Sequence, residues 1–442
     1  MYVHSRSHEI SLMAFFVFSK KAHERDEKKV GENMGLVVQK FGGTSVGNVD
    51  RIKHVADRVI EEKLRGNDVV VVVSAMGKTT DELVGLANQI SSRPNKREMD
   101  MLLTTGEQVT IALLSMVLIE KGYEAISFTG WQAGIETEAV HGNARILHIN
   151  TSKIQTELHK GKIVVVAGFQ GIAIDGAVST LGRGGSDTTA VALAAALKAD
   201  KCDIYTDVTG VFTTDPRYVK EARKLKSVSY DEMLELANLG AGVLHPRAVE
   251  YAKNYAVPLE VRSSMERENG TIIEEEVSME QSLVVRGVAF EDEITRVSVL
   301  GLPNGLTNLS TIFSILAKNH LNVDIIIQSM TNESTTNLSF SIKSSDLEET
   351  MAVLQSHKGE LQYEGIEAEP NLAKVSIVGS GMISNPGVAA EMFEVLAAGG
   401  IQVKMVSTSE IKVSTVIEEA QMLKAVEALH EAFELSGKSV KA

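Results

Sequence analysis

The sequence predicts an α/β protein: a mostly parallel sheet covered by helices on both faces, followed by two interleaved βαββαβ units. From Met34 strand-length β-branched runs alternate with helical patterns for about 230 residues, and from about residue 284 a βαββαβ order is traversed twice. At roughly 150 residues per domain, 442 residues accommodate about three folding units.

Residues 1–33 differ from everything after them. An apolar run at 10–18 leads straight into Lys20, Lys21 and a charged stretch, with no small-residue cleavage site, so a secretory leader finds no support. The segment reads as a poorly ordered N-terminal extension or a mis-assigned start. Met34 then opens a strand pattern. Leu36–Gln39, Val69–Ser74, Ala125–Thr129, Ile163–Gln170 and Asp203–Thr206 are strand-length β-branched runs. Val49–Leu64, Asp81–Ile90, Gln108–Lys121, Ile146–Lys160 and Thr188–Leu197 carry helical spacing between them. Such alternation argues a parallel sheet with both faces covered. Ligands of these sheets sit where the carboxyl ends of strands lead into helices, which places the chemistry in those loops.

Lys40-Phe41-Gly42-Gly43-Thr44-Ser45 follows the first strand. Its glycines allow close backbone approach, so consecutive N–H groups can cradle a phosphate beside the Lys40 charge. A Gly-Gly turn with a solvated lysine is the bland reading. Leu181-Gly182-Arg183-Gly184-Gly185-Ser186-Asp187 runs into an Ala-rich helix, and a helix N-terminus attracts anions. Arg183 can clamp a carboxylate in two-pronged fashion, whereas Ser186 or Asp187 could serve merely as the N-cap. The turn-rich run from Tyr205 to Arg217 reads as structural, with polar groups able to hold a nucleoside. Gly77-Lys78-Thr79 ends like a P-loop, but Val72 stands where that motif needs glycine. No G-x-G-x-x-G lies on a strand–helix junction, so a dinucleotide-binding dehydrogenase is unsupported.

In the C-terminal part, Thr295–Leu300, Asn308–Lys318, Asp324–Gln328, Thr336–Ile342, Leu347–Ser356 and Leu361–Ile366 read as strand, helix, strand, strand, helix, strand. Ala373–Val378, Gly387–Ala398, Val403–Ser407, Lys412–Ile417 and Glu418–Phe433 repeat that ferredoxin-like order but lack a fourth strand. A spare strand, Leu283–Phe290, precedes the first copy and completes the second, interleaving the two.

Lys+Arg 44 against Asp+Glu 58 leave a net charge of −14, which disfavours nucleic-acid binding. Hydrophobic residues at 44% with charged residues at 23% suit a globular core. One cysteine, Cys202, allows no internal disulfide, which points to the cytoplasm. No apolar stretch is seen to approach the ~20 residues that span a bilayer.

VVQKFGGTSV, VSAMGKTTDEL, TTGE, TLGRGGSD, YTDVTGVFTTDPR and GAGVLHPRAVE, in that order, resemble the aspartate kinase family, and the resemblance covers residues 34–442. It implies an amino-acid-kinase fold at 34–280 and two ACT domains, at 281–368 and 369–442. It also implies transfer of the γ-phosphoryl of ATP, held with Mg, to the β-carboxylate of L-aspartate. That step opens lysine, diaminopimelate, threonine and methionine synthesis. By the resemblance, Lys40, Phe41, Gly42, Gly43 and Ser74 lie at the ATP phosphates. Thr206, Asp207, Phe212, Asp215, Arg217 and Gly242 line the nucleotide pocket, although family members often carry lysine where Gly242 stands. Thr80, Glu107, Arg183, Gly184, Gly185 and Ser186 hold aspartate, with Glu107 suited to its ammonium group. Asp187 orients the site, most directly through Lys40. Protein side chains are not expected to cage the metal.

The resemblance further implies a homo-oligomer paired through ACT domains, inhibited by lysine and less firmly by threonine. Candidate effector residues are Asn304, Asn308, Asp324 and Gln328 in the first repeat, and Ser384 and Asn385 in the second. The Leu302–Asn308 loop departs from the common D-x-P-G form, with Asn304 in place of the acid. Some members make the regulatory part separately, and Met279 could start such a chain. Two alternatives stand beside this reading. A glutamate or N-acetylglutamate kinase would keep the fold but lack the paired repeats; a catalytically dead amino-acid sensor would not need Lys40, Arg183 and Asp187.

Overall fold

The computed structural model describes residues 35–240, 242–275, 283–331 and 334–436. The expectations placed on residues 1–33, Met34 and Met279 lie outside the described residues.

The N-terminal unit begins with β1 (Leu36–Phe41), α1 (Val49–Leu64), β2 (Asp68–Val73), α2 (Thr79–Ile90), α3 (Lys96–Leu103), α4 (Thr105–Glu120) and β3 (Ala125–Phe128). It continues through β4 (Ile135–Thr137), β5 (Ile146–Ile149), α5 (Ser152–His159), β6 (Ile163–Ala167), β7 (Gln170–Ala173), β8 (Val178–Thr180) and α6 (Gly185–Leu197). It closes with β9 (Lys201–Thr206), β10 (Ser227–Ser229), α7 (Tyr230–Asn238), α8 (Pro246–Tyr255), β11 (Leu259–Ser263) and β12 (Thr271–Glu274).

The main sheet has the order β10-β12-β11-β9-β1-β2-β6-β3, and every neighbouring pair is parallel except β11 with β12. β2 is a valine run because both of its faces are covered. Val69, Val71 and Val73 meet Ile52, Val55 and Val59 of α1 and Ile111, Leu114 and Leu118 of α4. Val70 and Val72 lie in a second core with Ala190, Leu193 and Ala194 of α6 and with Met233 and Val249. Local signals start the helices. Asn48 accepts from Arg51 N to cap α1, Ser229 and Glu232 form a capping box on α7, and His245 caps α8 with Pro246 in its first turn.

Two expected elements divide. Ile163–Gln170 is not one strand: β6 stops at Ala167, Phe169 takes a left-handed φ of 71°, and the chain turns into β7 of a separate sheet ordered β5-β4-β7-β8. Ile146–Lys160 is not one helix, because Ile146–Ile149 pairs with β4 before α5 begins. The membrane expectation is corrected as well. Lys96–Glu120 is long and apolar enough to cross a membrane by length and composition. One face of it packs on the sheet through Ile111, Leu114 and Leu118, while Val109, Met116 and Ile119 are exposed.

The C-terminal part comprises β13 (Gly287–Pro303), α9 (Leu306–Lys318), β14 (Ile326–Met330), β15 (Thr335–Lys343), α10 (Leu347–Ser356), α11 (Lys358–Leu361) and β16 (Gly365–Val378). α12 (Val388–Ala398), β17 (Val403–Thr408), β18 (Lys412–Glu418) and α13 (Met422–Ala432) complete it. One antiparallel sheet, β14-β15-β13-β16-β18-β17, carries both repeats. Of the spare strand Leu283–Phe290 only Gly287–Phe290 is strand, and it forms one half of β13 with Thr295–Leu300 in the other; Leu361–Ile366 and Ala373–Val378 belong likewise to β16, which begins at Gly365. Gly287–Glu291 pairs with Lys374–Val378 and so enters the second repeat, while Ile294–Leu300 pairs with Gly365–Leu372 in the first. The register shifts between the halves, where Glu293 and Asn371 take φ of 53° and 59°. A bulge of this kind bends one strand from one unit into the next.

Candidate active site

β1 lies between β2 and β9, so the chain leaves it in opposite directions along the sheet and opens a crevice at the carboxyl edge. Four loops meet there, and backbone bonds tie them together. Gly42 N donates to Tyr205 O, Ser74 N to Phe41 O, and Gly168 N to Val73 O.

Alternation along β1 sends Phe41 to the α1 side, where it stacks on Tyr205 with 4.5 Å between ring centroids. Lys40 takes the other side, and its Nζ lies 2.6 Å from Asp187 Oδ1 in the first turn of α6. The Gly42–Val46 turn closes by Ser45 N and Val46 N donating to Gly42 O. Among the described residues the amides of Gly43 and Thr44 have no acceptor, which leaves two donors beside a cationic side chain. Gly43 is required there, because a Cβ would stand 3.0 Å from Ala75 O.

The loop before α6 is braced from several sides. Gly184 has φ of +65°, and a Cβ on it would fall 2.1 Å from the His245 ring. Gly184, not Ser186 or Asp187, is the N-cap; those two sit inside the first turn, where N–H groups lack intrahelical partners. Arg183 is exposed and has no partner among the described residues. Burial, then the Arg247 charge, push the His245 imidazole pKa down, opposed by Asp187.

Glu107, in the first turn of α4, is 3% exposed. Its Oε1 accepts from Ala75 N at 3.1 Å, while Oε2 is buried without a hydrogen-bond partner among the described residues. Burial raises its pKa to about 7 against the opposing backbone hydrogen bonds. A buried carboxylate oxygen of this kind favours an incoming cation.

A comparison with known proteins decides the family. Residues 35–263 match the amino acid kinase family and 375–433 an ACT domain. An aspartokinase of Bacillus sp. (strain MGA3) is 81% identical over 408 residues, covering 92% of this chain and 99% of that one. The chain belongs to the aspartokinase family. The solved structure of E. coli aspartokinase III with aspartate and ADP is 26% identical with a TM-score of 0.76, covering 90% of this chain and 99% of that one. The same E. coli enzyme with lysine and aspartate aligns at 26% identity and a TM-score of 0.71, over 90% of this chain and 99% of that one.

Seen as an aspartokinase, the chain brings Lys40, Gly42, Gly43, Ser74, Arg183, Gly184, Gly185, Ser186, Asp187, Thr206 and Asp207 to the carboxyl edge of the main sheet. Glu107 joins them through Ala75. Thr80 stands in the first turn of α2 and Phe212 in an isolated bridge with Lys224. Asp215 and Arg217 bond each other, with Arg217 Nη2 2.6 Å from Asp215 Oδ2. Burial would raise the Asp215 pKa, but the Arg217 bonds outweigh it and hold the group below its usual range. Gly242 is exposed at φ of +26°, where a Cβ would lie 3.8 Å from Gly240 O.

The effector candidates fall in separate places. Asn308 Nδ2 donates to Pro303 O, Asp324 pairs with Lys374 at 2.5 Å, Gln328 is exposed on β14, and Asn385 Nδ2 donates to Gly381 O. Ser384 is exposed next to Asn385, and Asn304 N donates to Ser334 O.

Sequence reasoning missed the residues behind the loop. Fully buried Asp100 of α3 accepts from Thr180 Oγ1 at 2.6 Å and Gly142 N at 3.1 Å, and pairs with His141 Nδ1 at 2.7 Å. Arg247 donates to Leu181 O at 2.9 Å, Ala144 O at 3.3 Å and Asn143 Oδ1 at 2.8 Å. The available signals were an acid inside the apolar run MDMLL and the arginine of HPRAVE.

Proposed function

We propose a division of labour among these residues for the reaction of the family. As an aspartokinase, the protein transfers the γ-phosphoryl group of ATP to the β-carboxylate of L-aspartate, giving 4-phospho-L-aspartate and ADP. It thereby opens lysine, diaminopimelate, threonine and methionine synthesis. An aspartate β-oxygen attacks the γ-phosphorus as the bond to the ADP oxygen breaks. The nucleophile is already ionised, so no general base is needed, and catalysis is positioning and charge neutralisation.

Lys40 meets the transferring group, and Asp187 holds the lysine. The free amides of Gly43 and Thr44, with Phe41, Gly42 and Ser74 around them, take the phosphates. Glu107 takes the substrate ammonium through Oε2 and Arg183 its carboxylate. Thr80, Gly184, Gly185 and Ser186 complete the aspartate pocket. Thr206, Asp207, Phe212, Asp215, Arg217 and Gly242 border the nucleoside.

Mg²⁺ keeps phosphate oxygens and waters as ligands. We place the ion on the ATP phosphates, with no cage of protein side chains. Bound there, it neutralises phosphate charge.

The kinase unit is assigned 34–280 and the regulatory units 281–368 and 369–442. The regulatory units pair between subunits and take lysine, less firmly threonine, as inhibitors; a shorter chain beginning at Met279 fits the same scheme. The enzyme is placed in the cytoplasm. The observation that carries the catalytic reading is the Lys40–Asp187 pair at the convergence of four carboxyl-edge loops. Trapping acyl phosphate as hydroxamate, with MgATP and a panel of acidic amino acids, tests it. Product from aspartate alone is expected; product from glutamate or N-acetylglutamate, or from none, overturns it.

A further inference from the structure

Thr213 lies inside the run bordering the nucleoside, between Phe212 and Asp215, yet its bonds reach out of the kinase unit. Its carbonyl accepts from Val288 N of β13 at 2.8 Å, and its own N–H donates to Arg223 O. Its hydroxyl lies 2.9 Å from His430 Nε2 of α13, donates to Leu435 O at 3.2 Å and accepts from Arg223 N at 3.0 Å. A hydroxyl has one proton and two lone pairs. His430 Nε2 is a further partner of Oγ1, donating to it when the hydroxyl proton lies on Leu435 O, and every polar group of Thr213 is used.

Neighbouring residues dock in the same direction. Tyr218 packs edge-on against Phe290 at 5.3 Å between centroids. Val219 is buried in the core of the second repeat with Val285, Val288 and Leu429. Ala222 bridges to Ser436. Gly287 has no side chain because a Cβ would stand 2.8 Å from Thr213 O.

We propose that the 206–217 loop is a shared element: its nucleotide-side end belongs to the kinase unit, and its conformation is set by the second regulatory repeat through Thr213 and His430. His430 is a positioning residue for ATP, acting through Thr213, and the second repeat governs nucleotide affinity by this direct contact. The proposal rests on the reading that this loop borders ATP.

The test compares His430→Leu, which removes the donor, with His430→Gln, which keeps an N–H. For His430→Leu the expected result is a rise in KM for ATP of roughly tenfold, within the usual range of site coupling. Its kcat and KM for aspartate stay within about twofold, the residual expected of a group that touches neither reacting atoms nor aspartate. His430→Gln recovers most of the ATP affinity. If His430→Leu fails to fold, Tyr218→Ala, which unseats the half-exposed contact with Phe290, is read in the same way. In the unaltered enzyme, ADP should slow amide exchange in 285–290 and 422–435, and aspartate alone should not.

Equal rises in both KM values, or an unchanged KM for ATP in the folded variant, overturn the proposal. So does exchange that ignores ADP. Asp207→Ala separates the two levels. If it raises KM for ATP while His430→Leu does not, the coupling alone falls. If it leaves KM for ATP unchanged, the loop is not at the nucleotide and both readings fall.

Discussion

At the residue scale, the two side chains to which we assign the chemistry differ in their electrostatics. Lys40 is held by Asp187 at 2.6 Å, and in the proposed reaction it faces the negative charge that develops on the transferring group. Lys40→Ala should lower kcat by ~10²–10³-fold, the cost of losing one preorganised contact with the transition state. A change confined to KM for ATP would instead make its contribution uniform binding.

Glu107 is the reverse case, a carboxyl whose burial raises its pKa to about 7. Below that pH it is neutral in the free enzyme and grips an ammonium poorly. We expect kcat/KM for aspartate to fall as pH drops through about 7 and to level off above it. Stability moves the other way. The folded state holds this proton more tightly than the unfolded chain, so its contribution is present below the unfolded value of 4.5 and is lost as pH rises towards about 7. Glu107→Gln should therefore be more stable than the parent at pH 8, by ~3 kcal/mol at most, while losing aspartate affinity. Urea unfolding at pH 5 and 8 checks the sign: the advantage must grow with pH.

At the scale of elements, the loop carrying Arg183 is only as well placed as its supports. Asp100 ties α3 to β8 and to the 141–142 turn with an acceptor for each of three donors. Asp100→Ala leaves the buried Thr180 hydroxyl without that acceptor, while the exposed Gly142 N–H turns to water, and should cost about 1–3 kcal/mol. KM for aspartate should rise and KM for ATP should not, because the disturbed segment leads into the Arg183 loop. Steady-state kinetics beside urea unfolding reads both effects, and equal damage to the two substrates would contradict the assignment.

Legibility at this scale depended on range. The GGTS and GRGGSD loops were readable because glycine, charge and strand boundary lie within a few residues. The support from Asp100 was not, since Thr180 is eighty positions away. β13 and β16 each read as two strands because polar Glu291-Asp292-Glu293 and Glu369-Pro370-Asn371 look like breaks. A bulge absorbs both in one ladder.

At the scale of the whole molecule, the two halves are joined by buried and half-buried polar contacts. Glu232 of α7, fully buried, accepts from Ser380 N at 2.8 Å and Ser380 Oγ at 2.7 Å, and Glu235 pairs with Lys412 at 2.8 Å. Lys374 binds Asp324 at 2.5 Å and Glu291 at 3.0 Å on the rim of a cavity of about 410 Å³ that Glu235 and Lys412 also line. An effector that takes Asp324 from Lys374 disturbs groups facing α7. Lysine should accordingly weaken substrate binding some 5–150-fold, the usual span of allosteric coupling. By linkage, substrates must weaken lysine binding by the same factor. Calorimetric titration of lysine with and without aspartate and ATP measures both directions; unchanged lysine affinity would exclude this control.

The sequence by itself determined the fold class and the interleaving of the two C-terminal repeats, and it pointed to the carboxyl-edge loops as the proposed site. Hydrophobic period, glycine placement and motif order are local properties that any stretch of chain displays. The Lys40–Asp187 contact was expected and is present at 2.6 Å; only the tertiary structure decided that Glu107 is buried with a free oxygen and that Thr213 answers to His430. Those outcomes depend on which distant groups desolvate one another, and desolvation is a property of the packed molecule, not of any segment within it.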